Sequence, residues 1–77
     1  MAASTKGPPH TGVVAAFDEH AGLGTITTPE GDDIAFHCTQ IADGSRQIDV
    51  GVAVEFEPLA RLGRWEAGAI RPARGAA

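Results

Sequence analysis

Gly22-Leu23-Gly24-Thr25-Ile26 and Ile34-Ala35-Phe36-His37-Cys38 are the two stretches whose reading settles how this chain folds. Pro29-Glu30-Gly31-Asp32 lies between them and reads as a turn, because proline presets φ and glycine tolerates positive φ. On either side of that turn, residues alternate with the period of a half-buried strand. The alternation puts Ile26, Ile34 and Phe36 on an inward face and Thr25, Ala35 and His37 on an outward one.

Three further segments rich in strand formers surround this pair. Residues 12–17 precede it across a bend at Glu19-His20-Ala21, and residues 52–59 and 65–71 follow. Val54, Phe56 and Ile70 complete the inward set, with Glu55 and Glu57 outward. Residues 38–41 are expected to form one helical turn, Ala42-Asp43-Gly44-Ser45 a loop, and residues 60–64 the connection between the last two strands. There is no sustained helical period and no internal repeat. Five short strands, with a longer connection between the third and fourth, predict an all-β, five-stranded antiparallel Greek-key barrel of the OB-fold type. The barrel is expected over 11–72, with a flexible lead at 1–10 and a flexible tail at 73–77.

Seventy-seven residues make one domain, near the size at which a single core suffices only marginally. No apolar run approaches the roughly 18 residues that span a bilayer, and the amino terminus lacks the pattern of a secretion signal. A cytoplasmic protein without a membrane partner is expected. Cys38 is the only cysteine, which rules out an internal disulfide and fits a reducing compartment. The formal charge is −4. Lys6 and Arg74 lie in the terminal segments, so the body sets ten carboxylates against Arg46, Arg61, Arg64 and Arg71, a difference of −6. Binding driven by counterion release needs clustered cations, and a duplex-binding module is not expected.

The order of residues resembles the cold-shock domain family from about Gly12 to Pro72. Gly12-Val13-Val14-Ala15-Ala16-Phe17-Asp18 parallels that family's opening G-x-V-K-W-F-N. Gly22-Leu23-Gly24-Thr25-Ile26 parallels its first ribonucleoprotein motif, G-F-G-F-I, and Asp33-Ile34-Ala35-Phe36-His37-Cys38 its second, D-V-F-V-H-F. Ile41-Ala42-Asp43-Gly44 is similar to the loop after that motif. Asp49-Val50-Gly51-Val52-Ala53-Val54-Glu55-Phe56-Glu57 follows D-x-G-x-x-V-x-F-E, and Ala67-Gly68-Ala69-Ile70-Arg71-Pro72 follows A-A-N-V-R-P. The resemblance implies binding of single-stranded RNA or DNA on a face where bases stack on outward aromatics. Stacking tolerates any sequence and needs few cations, so an acidic body is compatible with it.

Carried over position by position, the resemblance also shows what is missing. The family's tryptophan falls on Ala16, its first-motif phenylalanines on Leu23 and Thr25, its second-motif pair on Ala35 and Cys38, and its loop aromatic on Ser45. Two flanking lysines become Ala15 and Ala21, while Phe17, Asp33 and His37 remain and Arg46 replaces the loop lysine. At about 1–3 kcal/mol per stacked base, six absent rings forfeit on the order of 6–18 kcal/mol if summed, although such terms are not additive. Micromolar binding amounts to only about 8 kcal/mol. The inward residues persist by contrast. Phe36 stands at a family valine and Gly68 at an alanine, and an exchange of volume between them inside the barrel is expected.

Two functions follow. The first is weak binding of single-stranded nucleic acid through an altered site formed by Phe17, His37, Arg46, Arg61, Arg64 and Trp65. The second is a protein-interaction module whose strands, bearing Ala16, Leu23, Thr25 and Ala35, offer a flatter surface to an unknown partner. Trp65, placed outward beside Ala67 and Ala69, admits three readings: a relocated stacking site, a protein anchor, or a ring over the barrel end with its indole N–H in water. His37 matches a family contact residue and is also readable as a plain surface histidine. Neighbouring His37 and Cys38 are expected on opposite faces with no second ligand pair, so no metal site is expected. Glu30, Asp32 and Asp33 read as a solvated turn and not a calcium loop. No catalytic base, nucleophile and oxyanion site assemble, and neither an enzyme nor a cofactor is expected.

Overall fold

A computed structural model describes residues 10–61 and 63–73. The lead and tail expected at the termini lie, apart from His10 and Ala73, outside the described residues. His10 opens the first strand two residues before the expected start, so β1 spans His10–Asp18. It is followed by β2, Leu23–Thr27, and β3, Asp33–His37. One 3-10 turn, Cys38–Gln40, stands where a helical turn was expected. β4 spans Ala53–Arg61 and β5 spans Arg64–Pro72. These two strands run closer together than the sequence implied, because the chain reverses between Arg61 and Arg64, with Gly63 at a φ of 82°. Positive φ of this kind is what tight hairpin turns require.

The strands close into a barrel in the order β1-β2-β3-β5-β4. Closure from β4 to β1 runs from His10↔Phe56 to Val13↔Ala53. All pairings are antiparallel except β3 with β5, which meet in parallel at Ala35↔Glu66. Val14, Ile26, Phe36, Val54, Phe56 and Ile70 fill the interior at 1% exposure or less. Ile34, also expected inside, is half-buried against this core.

Two bulges correct the alternation read from the sequence. In β5, Arg71 pairs with Glu55 and Gly68 with Glu57, so Ala69 and Ile70 together oppose Phe56. Ala69 takes the left-handed conformation, φ 51°, and the extra residue resets which way its neighbours point. Ala67, expected outward, is therefore buried together with Ile70. Glu55 was also expected in solvent but is 5% exposed. Arg71 accounts for this: its Nε lies 3.5 Å from Glu55 Oε1 and its Nη1 3.6 Å from Glu57 Oε2. The same Nη1 donates to the carbonyl of Ala69 at 2.7 Å, tying the cation to the bulge.

The second bulge lies in β1, where Val14 faces Ile26 and Ala16 faces Thr25, leaving Ala15 over. It turns Phe17 back across the barrel end, where its ring stacks on that of Phe36 with centroids 5.9 Å apart and planes within 3°. The Phe36 ring is enclosed, as expected. Its room comes from Gly24, however, and not from Gly68. A Cβ on Gly24 would lie 2.6 Å from Phe36 Cε2, whereas one on Gly68 would meet Leu59 Cδ1 at 2.6 Å. The expected Phe36–Gly68 exchange is thus two separate local fits.

Candidate nucleic-acid interface

The pairing registers lay out the outer face of β1, β2 and β3 as rows. Ala16, Thr25, Ala35 and Glu66 form one row across four strands. Asp18, Leu23 and His37 form the next. Between them lies an open depression of about 530 Å³, reached also by Phe17 and Arg64. Its floor is made of small side chains, and Leu23 stands up from it at 53% exposure. No ring faces outward from the row that runs from Ala16 to Glu66.

Phe17 contributes only part of a platform. It is half-buried and counts with the core, one face being taken by Phe36. His37 is better placed, because it is exposed at the end of β3 and lines the depression. Its Nδ1 accepts the amide N–H of Thr39 at 3.2 Å and lies 2.9 Å from Thr39 Oγ1, capping the 3-10 turn. With Nδ1 accepting, the proton of the neutral ring resides on Nε2, which becomes the donor.

Cys38 follows at the strand's end and packs half-buried against the core while His37 stays exposed, as alternation required. Cys38 Sγ lies 4.0 Å from His37 Nδ1, and the Cys38 amide donates to the Gly22 carbonyl at 2.8 Å. Among the described residues no group of three histidine, cysteine or carboxylate side chains is arranged to hold a metal ion.

The arginines divide. Arg64 lines the depression, and Arg61 pairs with it across the hairpin. Both are ion-paired to Glu66: Arg64 Nη2 lies 3.3 Å from Oε2 and Arg61 Nε 3.7 Å from Oε1. Trp65 lies between Arg64 and Glu66 in the sequence and so projects to the other side of β5. It is 63% exposed and takes no part in lining the depression. Arg46 sits in the left-handed region, φ 62°, in the loop after the 3-10 turn. Gln47 Nε2 donates to Glu19 Oε2 and draws this loop towards the β1–β2 turn, but Arg46 does not reach the depression. Of six residues expected to share one site, the structure brings together Phe17, His37 and Arg64, with Arg61 joined through Glu66.

Glu66 and Asp18 are the site residues that the sequence reading missed. Asp18 occupies the final position of the family's opening motif, which was a signal, and its Oδ1 accepts the amides of His20 and Ala21. Nothing local marks Glu66, because only the parallel meeting of β5 with β3 brings it beside Ala35.

A five-stranded closed barrel with its candidate site on the outer face of β1–β3 defines an OB-type binding domain. Residues 10–73 match the family described as the 'Cold-shock' DNA-binding domain, and the chain belongs to that nucleic-acid-binding family. A solved Drosophila structure, Unr CSD456, is similar over 96% of this chain with a TM-score of 0.74 and 27% sequence identity. This chain spans about 30% of the length of that one. No curated protein sequence matches.

Proposed function

We propose that this cold-shock domain binds single-stranded RNA or DNA weakly, at the depression bounded by Phe17, His37 and Arg64, and not along a row of stacking rings. The observation that supports the reading is the depression itself. It lies on the family's binding strands and keeps a half-exposed ring, an imidazole donor and a guanidinium at its rim, while its floor carries Ala16, Thr25 and Ala35. One stacked base is worth about 1–3 kcal/mol, so a single partial platform with a few polar contacts supports affinity well short of micromolar, which needs about 8 kcal/mol.

Titration with oligo-dT and a mixed-sequence RNA, followed by amide chemical shifts, tests this. Shifts confined to residues around Phe17, Ala35 and His37, saturating above about 100 µM, are expected. Absence of shifts up to millimolar oligonucleotide overturns the proposal. Trp65 fluorescence is a poor reporter, because the indole lies on the other side of β5.

Leu23, 53% exposed amid small neighbours, supports a second reading in which the same face meets a protein. That reading expects a specific partner whose capture is abolished by Leu23→Glu, and an undiminished yield would dismiss it.

A further inference from the structure

The depression carries an anion, Glu66, directly beside Arg64, the cation on its lining that a phosphate would use. Glu66 stands beside Ala35 where β3 and β5 meet in parallel, its side chain only 18% exposed. Each of its oxygens faces one guanidinium, Arg64 at 3.3 Å and Arg61 at 3.7 Å. The two arginines face each other across the hairpin, yet remain 71% and 52% exposed. They are open to a ligand and at the same time held by an anchored carboxylate. The other two described arginines are not alternatives: Arg71 is engaged by Glu55 and Glu57, and Arg46 lies outside the depression.

We infer that Glu66 acts as a built-in stand-in for a backbone phosphate. It holds Arg64, which lines the depression, together with Arg61 beside it and thereby sets both the affinity and the salt dependence of single-stranded nucleic acid bound there. The inference rests on the nucleic-acid reading of the depression and adds the residue that limits it. Two guanidinium groups sharing one carboxylate leave a single net positive charge in this cluster. An incoming phosphate must displace the carboxylate or share the arginines with it. Ion pairs of this length whose cations are largely in solvent are weak and exchange readily, so the hairpin can hand its cations to a ligand, but each cation handed over leaves Glu66 facing a second anion.

Glu66→Gln removes the charge and keeps the shape. It frees about one phosphate contact, which for a single strand steepens the dependence of log K on log salt by about 0.7. At low ionic strength the affinity for a fluorescein-labelled oligo-dT should rise about fivefold, and the gain should fade as salt is added. Glu57→Gln is the control, because it removes one negative charge from the same strand pair without touching Arg61 or Arg64. A gain in Glu66→Gln well above that in Glu57→Gln supports the inference. Equal gains would mean that net charge alone matters, and would overturn it.

Arg64→Gln in the otherwise unaltered protein gives an independent reading if Glu66→Gln folds poorly. The cluster supplies one net charge, so this loss should lower the salt slope by about 0.7, further loss of Arg61 should lower it no more, and a drop of about 1.4 in the double variant Arg61→Gln/Arg64→Gln would overturn the inference. If the unaltered protein binds oligo-dT and Glu66→Gln binds no tighter, only the role of Glu66 falls. If neither binds at any salt concentration, the nucleic-acid reading falls and takes this inference with it.

Discussion

The β4–β5 pair carries two arginine–carboxylate clusters that use the same chemistry to opposite ends. Towards the chain terminus, one cation, Arg71, serves two carboxylates, and Glu55 beneath it is 7% exposed at the side chain. Towards the hairpin, two cations serve one carboxylate, and both arginines are largely in solvent. A charge taken out of water is expensive unless it is paired, so the first cluster is part of the fold. A pair whose cations stay in water is worth less, so the second, with only Glu66 partly covered, is free to trade partners. Burial, and not the residue types, separates a structural ion pair from a functional one.

The largest effect expected from breaking this contrast is in stability. Arg71→Ala strips a nearly buried carboxylate of its cation and should cost about 3 kcal/mol, read as a lower urea midpoint at unchanged slope. Arg64→Ala should cost within about 0.5 kcal/mol. If the two variants unfold at the same urea concentration, the contrast is wrong. Glu66→Gln comes next: its fivefold change in oligo-dT affinity should appear without any shift of the urea midpoint beyond about 0.5 kcal/mol.

Ala69→Gly sharpens the structural side. Ala69 holds a φ of 51°, which is costly for a residue with a Cβ, and glycine should recover about 0.5–1 kcal/mol if the bulge anchoring Arg71 is retained. A loss of stability would mean that the side chain contributes packing that outweighs the strain.

The smallest effect concerns a carboxylate in neither cluster. The Ser45 amide, followed by the Ser45 hydroxyl, holds the fully exposed Asp43 below the ordinary aspartate range. A folded value below the unfolded one means that its contribution is complete above about pH 4 and is lost as pH falls through the lower folded value. Asp43→Asn should flatten the stability profile slightly on that acid side only, as measured by thermal unfolding between pH 2 and 7. An unchanged profile would count against the Ser45 contact.

Much of the barrel was legible because its inner face obeys a simple period. Ile26, Phe36, Val54, Phe56 and Ile70 lie inside as alternation required, and Gly31 takes the positive φ expected of the turn between β2 and β3. The absence of rings at Ala16, Thr25 and Ala35 was likewise a matter of reading residues in order. Alternation failed where its assumption failed. Extra residues at Ala15 and Ala69 shift the register, which turned Phe17 towards Phe36 and Ala67 into the core. A bulge leaves no mark in hydrophobic pattern alone, since it is defined by the partner strand.

The sequence by itself determined the architecture and the poverty of the stacking face, because both depend on which side chains alternate along single strands. Tertiary structure alone decided which charged groups share a site. Arg61, Arg64 and Glu66 are close in the chain, but their meeting with Ala35 and His37 depends on β5 closing in parallel against β3. Strand closure pairs residues by geometry at a distance, and a local pattern carries no record of the partner it will meet.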